Sequence, residues 1–306
     1  MMDTLVQLYL YFSLIFMAVG KYYMCVGLES PLNHVSYRPA HFAVDIDGTF
    51  LTHDKNALEE NRKAFSRVID AGYNMFFCTG RPLRSSLVVL GDEYISKGYK
   101  GFPGIYHNGA VVFGPTGNVL RMVKFSKDFL SAFCDYVGSH HLERSVVFCD
   151  MYHMYMLDED YSLMRRALED IDYRDHPTVV TVPEVLEKNI TLIMIGSPDI
   201  ITNQSRFTKG IDYIMKEGSC GCWDLTAGVC TKAEGLKILL ESYNVPADEC
   251  GFIGNGTNDI EAMDLCGHSF SVNNADPGVS EHAKYHLAES NEEGAFKRMV
   301  EIVYGL

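Results

Sequence analysis

The stretch "AVDIDGTFLTHD", residues 43–54, ends a short apolar run on two aspartates, Asp45 and Asp47, set one residue apart. Phe42–Asp45, short and apolar and stopping at polar residues, reads as a buried strand. In an open α/β sheet, ligands bind beyond the carboxyl ends of the strands. Asp45 is thereby delivered to a binding edge, with Asp47 near it on the following loop. Two carboxylates so placed can divide nucleophilic and acid–base duties, or share a hard cation. Gly48 permits a tight turn and Thr49 can brace it. Alone, the motif decides nothing, because turns rich in Asp and Gly are common at strand ends.

The pattern around it predicts alternating strands and helices. A helix over 56–72 follows, with Ala57, Leu58, Phe65, Val68 and Ile69 on one face. Strands are expected at 73–80 and 104–113, with a helix from Pro82–Leu83 between them. Further on, 232–245 reads as a helix, 251–254 as a strand, 258–266 as a helix, 268–272 as a strand, and about 292–304 as a closing helix. This alternation predicts a parallel sheet flanked by helices. The middle of the chain differs. Two close strands are expected within 145–157, a helix at 162–171, a strand at 189–196 and a helix at 205–218, which is an antiparallel α+β unit. The expected organisation is an N-terminal extension over 1–37, an α/β core built from 38–113 and 225–306, and an inserted cap over 114–224.

Three more polar clusters fall at expected strand ends or helix starts. "CTGRP" (78–82) offers the Thr79 hydroxyl, the Gly80 backbone N–H and the Arg81 charge, all suited to phosphate. Lys232 opens a helix, where its charge opposes the helix dipole unless an anion accompanies it. "GNGTND" (254–259) supplies Asn255, Asn258 and Asp259 as oxygen ligands or their supports, suited to Mg2+. A solvated lysine and a capped glycine turn are the bland readings of the last two. Together the clusters make a complete kit for phosphoryl transfer.

These residues resemble the haloacid dehalogenase superfamily, and more closely its Cof-type branch with the C2B cap. "DIDGTFL", "CTGR", "TKAEGLKILL" and "GNGTNDIEAM" look like its four motifs in order, and "HNGA" (107–110) and "NNAD...SNEEG" (273–276 and 290–294) also match. The resemblance covers about residues 42–304. It implies a HAD-like Rossmannoid core, a parallel sheet with helices on both faces, plus an inserted α+β cap. It implies that Asp45 attacks phosphorus and that Asp47 serves as acid and then base. Thr79, Gly80 and Lys232 would hold the phosphoryl group. Arg81, Asn108 and Gly109 are substrate-binding candidates. Mg2+ would rest on Asp45, Asp47, Asn255 and Asp259, with Asn258 in support. The expected reaction is Mg2+-dependent hydrolysis of small phosphorylated metabolites, of the sugar phosphate class. The family pattern has Asp at position 255, so weaker Mg2+ binding and slower turnover are expected. An attenuated phosphometabolite-binding protein and a phosphomutase of the phosphomannomutase type stand as alternatives.

Composition sets outer limits. The net charge of −14 speaks against a general nucleic-acid binder, which needs a basic face. The nine cysteines are scattered without a CxxC pair and read as ordinary thiols. Residues 5–20 are almost continuously apolar, short for a membrane span but suited to a signal peptide. The acidic "MMDT" start argues the other way, so a signal peptide, an anchor and an over-extended start all stay open. Any membrane association is expected only through this segment. A sequon at Asn255-Gly256-Thr257 would place a glycan on the expected metal loop, so the folded domain is expected to be cytoplasmic. The cap is expected to set specificity, with one alternating face of "MYHMYM" (151–156) a candidate to meet the substrate. The oligomeric state is not legible.

Overall fold

The computed structural model describes residues 37–170, 176–218 and 221–306. The apolar segment at 5–20 lies outside them. Among the described residues no helix is long and apolar enough to cross a membrane. In chain order the elements begin β1 (His41–Val44), α1 (Lys55–Asp70), β2 (Asn74–Phe77), α2 (Leu83–Leu90), α3 (Asp92–Lys97), β3 (Gly104–Tyr106), β4 (Val111–Phe113) and β5 (Val119–Met122). Next come α4 (Lys127–Ser139), β6 (Val146–Cys149), β7 (Met154–Met156), α5 (Arg165–Asp170), β8 (Thr178–Val179), α6 (Val182–Leu186), β9 (Leu192–Ile195), α7 (Asp199–Thr202), β10 (Tyr213–Glu217) and β11 (Trp223–Ala227). The chain closes with α8 (Lys232–Tyr243), β12 (Gly251–Gly254), α9 (Ile260–Leu265), β13 (His268–Ser271), β14 (Tyr285–His286) and α10 (Ala295–Tyr304).

The core is a five-stranded parallel sheet in the order β14-β13-β12-β1-β2. Alternation along β1 sends successive side chains to opposite faces. The Phe42 ring lies 6.3 Å from Tyr304 of α10, whereas the neighbouring His41 ring lies 4.5 Å from Tyr243 of α8. Helices therefore cover both faces. Around the turn after β1, Phe50 packs edge-on to Phe77 of β2 at 5.3 Å and to Phe296 of α10 at 4.9 Å. Such aromatic pairs contribute about 0.5–1.5 kcal/mol beyond their area burial. They anchor the loop that carries Asp47.

A six-stranded sheet, β10-β11-β9-β6-β7-β8, forms the second layer system. One face packs on α4 and α6 through Phe129, Phe133, Val137 and Val185. The other carries Val147, Met154, Met156, Leu192, Met194 and Cys222, with α5 covering part of it through Ala167 and Leu168.

The structure revises three expectations. The stretch 104–113 is not one strand. His107, Asn108 and Gly109 take φ of 50°, 51° and 92°, and this left-handed turn folds β3 back on β4 in a three-stranded antiparallel sheet with β5. A single parallel bridge, Cys78 to Ile105, links it to the extension of β2. The helix expected over 205–218 is a strand at its C-terminal end, because Tyr213 and Met215 are buried at alternate positions and pair with β11. Period two wins there over helix-forming composition. The expected cap boundary at 224 falls inside β11, which continues to Ala227.

Candidate functional site

Register in the core sheet assembles the site. Val44 lies beside Ile253 of β12 on one side and Phe77 of β2 on the other. The residues just beyond these positions are Asp45, Gly254-Asn255 and Cys78-Thr79, so three neighbouring strands end side by side. The turn Ile46–Phe50 follows Asp45, closed by Leu51 N–H donating to the Ile46 carbonyl at 2.8 Å. Gly48 sits at φ 71°, and a Cβ there would approach the Asn255 amide to 2.5 Å. Only glycine allows the first loop to lie this close to the last.

Lys232 unites the floor of the site. Its Nζ donates to Asp45 Oδ1 at 2.5 Å and to Asp259 Oδ1 at 2.6 Å, and its side chain is fully buried. Burial works against the ammonium charge, but Asp259 and Asp45 more than offset it and hold its pKa above the ordinary value. Burial and the charge of Asp259 push the Asp45 carboxyl up to about 7, with Lys232 opposing them. Asp259 Oδ2 accepts the backbone N–H groups of Asn255 and Gly256, both at 2.9 Å. Both oxygens of Asp259 are therefore engaged. Expected as a metal ligand, it also braces the last loop.

Arg81 grips Asp47. Its Nε donates to Oδ1 and Oδ2 at 3.0 and 2.9 Å, and Nη2 donates to Oδ1 at 2.5 Å. The guanidinium is buried while the Asp47 side chain remains 43% exposed. This fork aims a reachable carboxylate into the cavity. Thr79 Oγ1 accepts the Arg81 N–H at 3.1 Å, which leaves the hydroxyl proton to donate elsewhere.

Asn255 marks the candidate cation position. In one orientation its Oδ1 accepts from Thr49 Oγ1 at 3.0 Å. With the amide turned, its nitrogen donates to the Asp47 carbonyl at 2.7 Å, Asp45 Oδ2 at 3.1 Å and Thr49 Oγ1 at 3.0 Å. Asn255 therefore adjoins the two oxygens that a cation would share. Spacings near 3 Å also match adjacent ligands of a small octahedral cation with bonds of about 2.0–2.1 Å. The donor set of carboxylate, carbonyl and carboxamide oxygen fits a hard divalent ion, but with one charge fewer than an acid at 255 would bring. Among the described residues, no three His, Cys, Asp or Glu side chains group at metal spacing.

Asn108 and Gly109, expected at the substrate, do not line the cavity. Asn108 Oδ1 accepts from Asn258 Nδ2 at 3.0 Å, tying the β3–β4 turn to the last loop. Gly109 packs on the start of α8, where a Cβ would meet the Thr231 carbonyl at 2.1 Å. Beside them, buried His107 pairs through Nδ1 with Thr191 Oγ1 at 2.8 Å, next to β9 of the second sheet. Burial pulls the His107 pKa down to about 4, against a smaller upward pull from Asp150. The unfolded chain takes up this proton near pH 6.5, so protonation favours unfolding between about 6.5 and 4. Over that interval wild type is expected to lose up to about 3 kcal/mol more stability than His107→Asn. Urea unfolding at pH 7 and pH 4.5 checks this, and equal losses in the two proteins would refute it.

Asp45, Asp47, Gly80, Arg81, Asn255 and Asn258 line one side of a cavity of about 490 Å3. The six-stranded sheet supplies the opposite wall through Leu192, Met194, Glu217, Cys222 and Asp224. None of residues 151–156 reaches it. Tyr155 joins the far-side core and Met154 and Met156 are buried within the near face. The wall comes from β9, β10 and β11, and β10 is the strand that the helical reading of 205–218 concealed.

The sequence pattern of the haloacid dehalogenase-like hydrolases matches residues 42–299. The chain belongs to this family. Its Cof-type character is borne out by a HAD/COF-like hydrolase from Plasmodium vivax, whose crystal structure superimposes with a TM-score of 0.77 at 25% identity, covering 88% of this chain and 97% of that one. Curated relatives include the 5-amino-6-(5-phospho-D-ribitylamino)uracil phosphatases YitU of Bacillus subtilis (strain 168) and YbjI of Escherichia coli (strain K12). YitU is 23% identical over 274 residues, 86% of this chain and 97% of its own length. YbjI is 27% identical over 267 residues, 82% and 92% respectively. The chain is thus a hydrolase of the HAD superfamily, with the α/β core and added cap of that fold.

Proposed function

We propose that this hydrolase is a phosphatase of small phosphorylated metabolites, of the sugar phosphate class, working through an aspartyl-phosphate on Asp45. The observation that carries the reading is the row of strand ends that sets Asp45, Asp47, Gly80, Arg81 and Asn255 on one cavity floor, with Thr79 buried beside them. The phosphatase relatives support it, and two of them are named for a substrate with a phosphorylated ribityl group. The reading divides the chain into a catalytic core, about 38–122 and 228–306, and a cap of about 123–227.

In this scheme an Asp45 oxygen forms a bond to phosphorus as the bond to the leaving oxygen breaks. Asp47 gives that oxygen its proton. Asp47 then takes a proton from water, whose oxygen attacks phosphorus and releases Asp45 and inorganic phosphate. Thr79 Oγ1, the Gly80 N–H and the remaining Lys232 N–H are the donors for phosphoryl oxygens. Asp45, the Asp47 carbonyl and Asn255 would hold Mg2+. Bound there, the ion supplies charge that offsets repulsion between the anionic nucleophile and the anionic substrate.

Phosphate release from a panel of sugar phosphates, with and without Mg2+, tests the function. Turnover that needs Mg2+ is the expected result, and an inactive wild type would overturn it. Asn255→Asp is expected to tighten Mg2+ binding by about 10-fold or more, because ligand charge tunes affinity. Calorimetry, or the rise of Tm with Mg2+, reads this directly. Equal affinities would remove Asn255 from the cation site. A second reading, a phosphometabolite-binding protein with attenuated catalysis, draws on that same asparagine, and turnover confined to Asn255→Asp would favour it.

A further inference from the structure

The carboxylates around the cavity are not alike. Asp45 has Lys232 and Asp47 has Arg81. The side chain of Asp224, facing them from β11, makes no hydrogen bond or ion pair among the described residues, while its backbone pairs with β9 and β10. It is half-buried. Burial pushes its carboxyl up to about 7, helped by the charge of Asp47 and opposed by Arg81. Gly218 keeps it open, since a Cβ at that position would come within 3.2 Å of Asp224 Oδ1. An acceptor partly shielded from water and without a protein donor is suited to take a hydrogen bond from a bound molecule.

The surroundings narrow what that molecule can be. Among the described lining residues Arg81 is the one lysine or arginine, and its fork is already spent on Asp47. Asp47, Glu217, Asp224 and Asp276 give the space above the nucleophile a negative field. A second phosphate or a carboxylate on the substrate would find no counter-charge there. Leu192 and Met194, beside Asp224, offer an apolar surface for a carbon skeleton.

Resting on the phosphatase reading, we propose that Asp224 is the specificity residue of the cap. It accepts hydrogen bonds from hydroxyl groups on the alcohol part of a phosphate monoester, and the acidic wall around it rejects substrates with a second anionic group. The substrate class is an uncharged polyol phosphate.

Steady-state kinetics of wild type, Asp224→Ala and Asp224→Asn test this. The probes are phenyl phosphate, which lacks hydroxyls, fructose 1,6-bisphosphate, and the best substrate among glucose 6-phosphate, mannose 6-phosphate and ribitol 5-phosphate. Wild type is expected to prefer the polyol monophosphate over the bisphosphate. Asp224→Ala should lower kcat/KM for the polyol phosphate by about 10- to 100-fold, mostly through KM, as expected for loss of a hydrogen bond to a charged group. Phenyl phosphate should change by less than about 3-fold, since that ester makes no such bond. Asp224→Asn preserves shape and is the reference should the alanine variant fold poorly. If polyol and phenyl phosphates fall together, or neither falls, the role of Asp224 is refuted while the phosphatase reading stands. A wild type that prefers the bisphosphate also refutes it. If wild type hydrolyses none of the probes, both readings fall.

Discussion

Asp45→Asn is expected to abolish phosphate release, by roughly 10,000-fold or more on the scale seen when a catalytic nucleophile is removed, and to leave the fold intact. The carboxamide oxygen is isosteric with the Oδ1 that accepts from Lys232 Nζ, so that hydrogen bond has a replacement. Lys232 keeps a counter-charge in Asp259. The variant also removes one of two carboxylates that crowd a single buried ammonium, where burial first and the charge of Asp259 second raise the Asp45 pKa. Thermal unfolding should therefore be close to wild type. Turnover above about a tenth of wild type would be incompatible with a nucleophilic Asp45, given the losses that such replacements cause.

Lys232→Met has the largest expected effect on stability. The ammonium is the shared partner of Asp45 and Asp259, all three side chains being buried. Removing one member of a buried ion cluster leaves the others uncompensated and typically costs about 3–5 kcal/mol. The damage spreads, because Asp259 also holds the Asn255 and Gly256 N–H groups of the last loop. Adding Asp45→Asn to Lys232→Met should recover part of the loss, since one stranded carboxylate is then gone. Urea unfolding of both single variants and the double variant measures that coupling. A loss below about 1 kcal/mol for Lys232→Met would contradict a cluster of this kind, as would a double variant no more stable than Lys232→Met.

Asp45, Thr79, Lys232 and Asn255 were legible because each sits at a local junction of strand, turn or helix start. Short-range rules govern such junctions, and the hydrophobic runs around them have a clear period. The order of these junctions along the chain was enough to indicate the HAD fold and an inserted cap. The asparagine at 255 was equally plain, since it is a departure within a short motif.

Other features depended on contacts between distant parts of the chain. Lys232 meets Asp45 across 187 residues and Arg81 meets Asp47 across 34, and no spacing rule announces either pair. Three successive left-handed residues at 107–109 turned an expected strand into a hairpin, a choice made by packing of Gly109 against Thr231. Tyr213–Glu217 became a strand because β11 was there to pair with it. That pairing carries Asp224 to the cavity wall, opposite Asp45 and Asp47. Chemistry-bearing residues were thus written into local sequence, whereas the partners that hold them and the wall that faces them arose only when the two sheets came together. The reason is physical: turn and strand preferences act over a few residues, but charge pairing and burial act between whichever groups the fold makes neighbours.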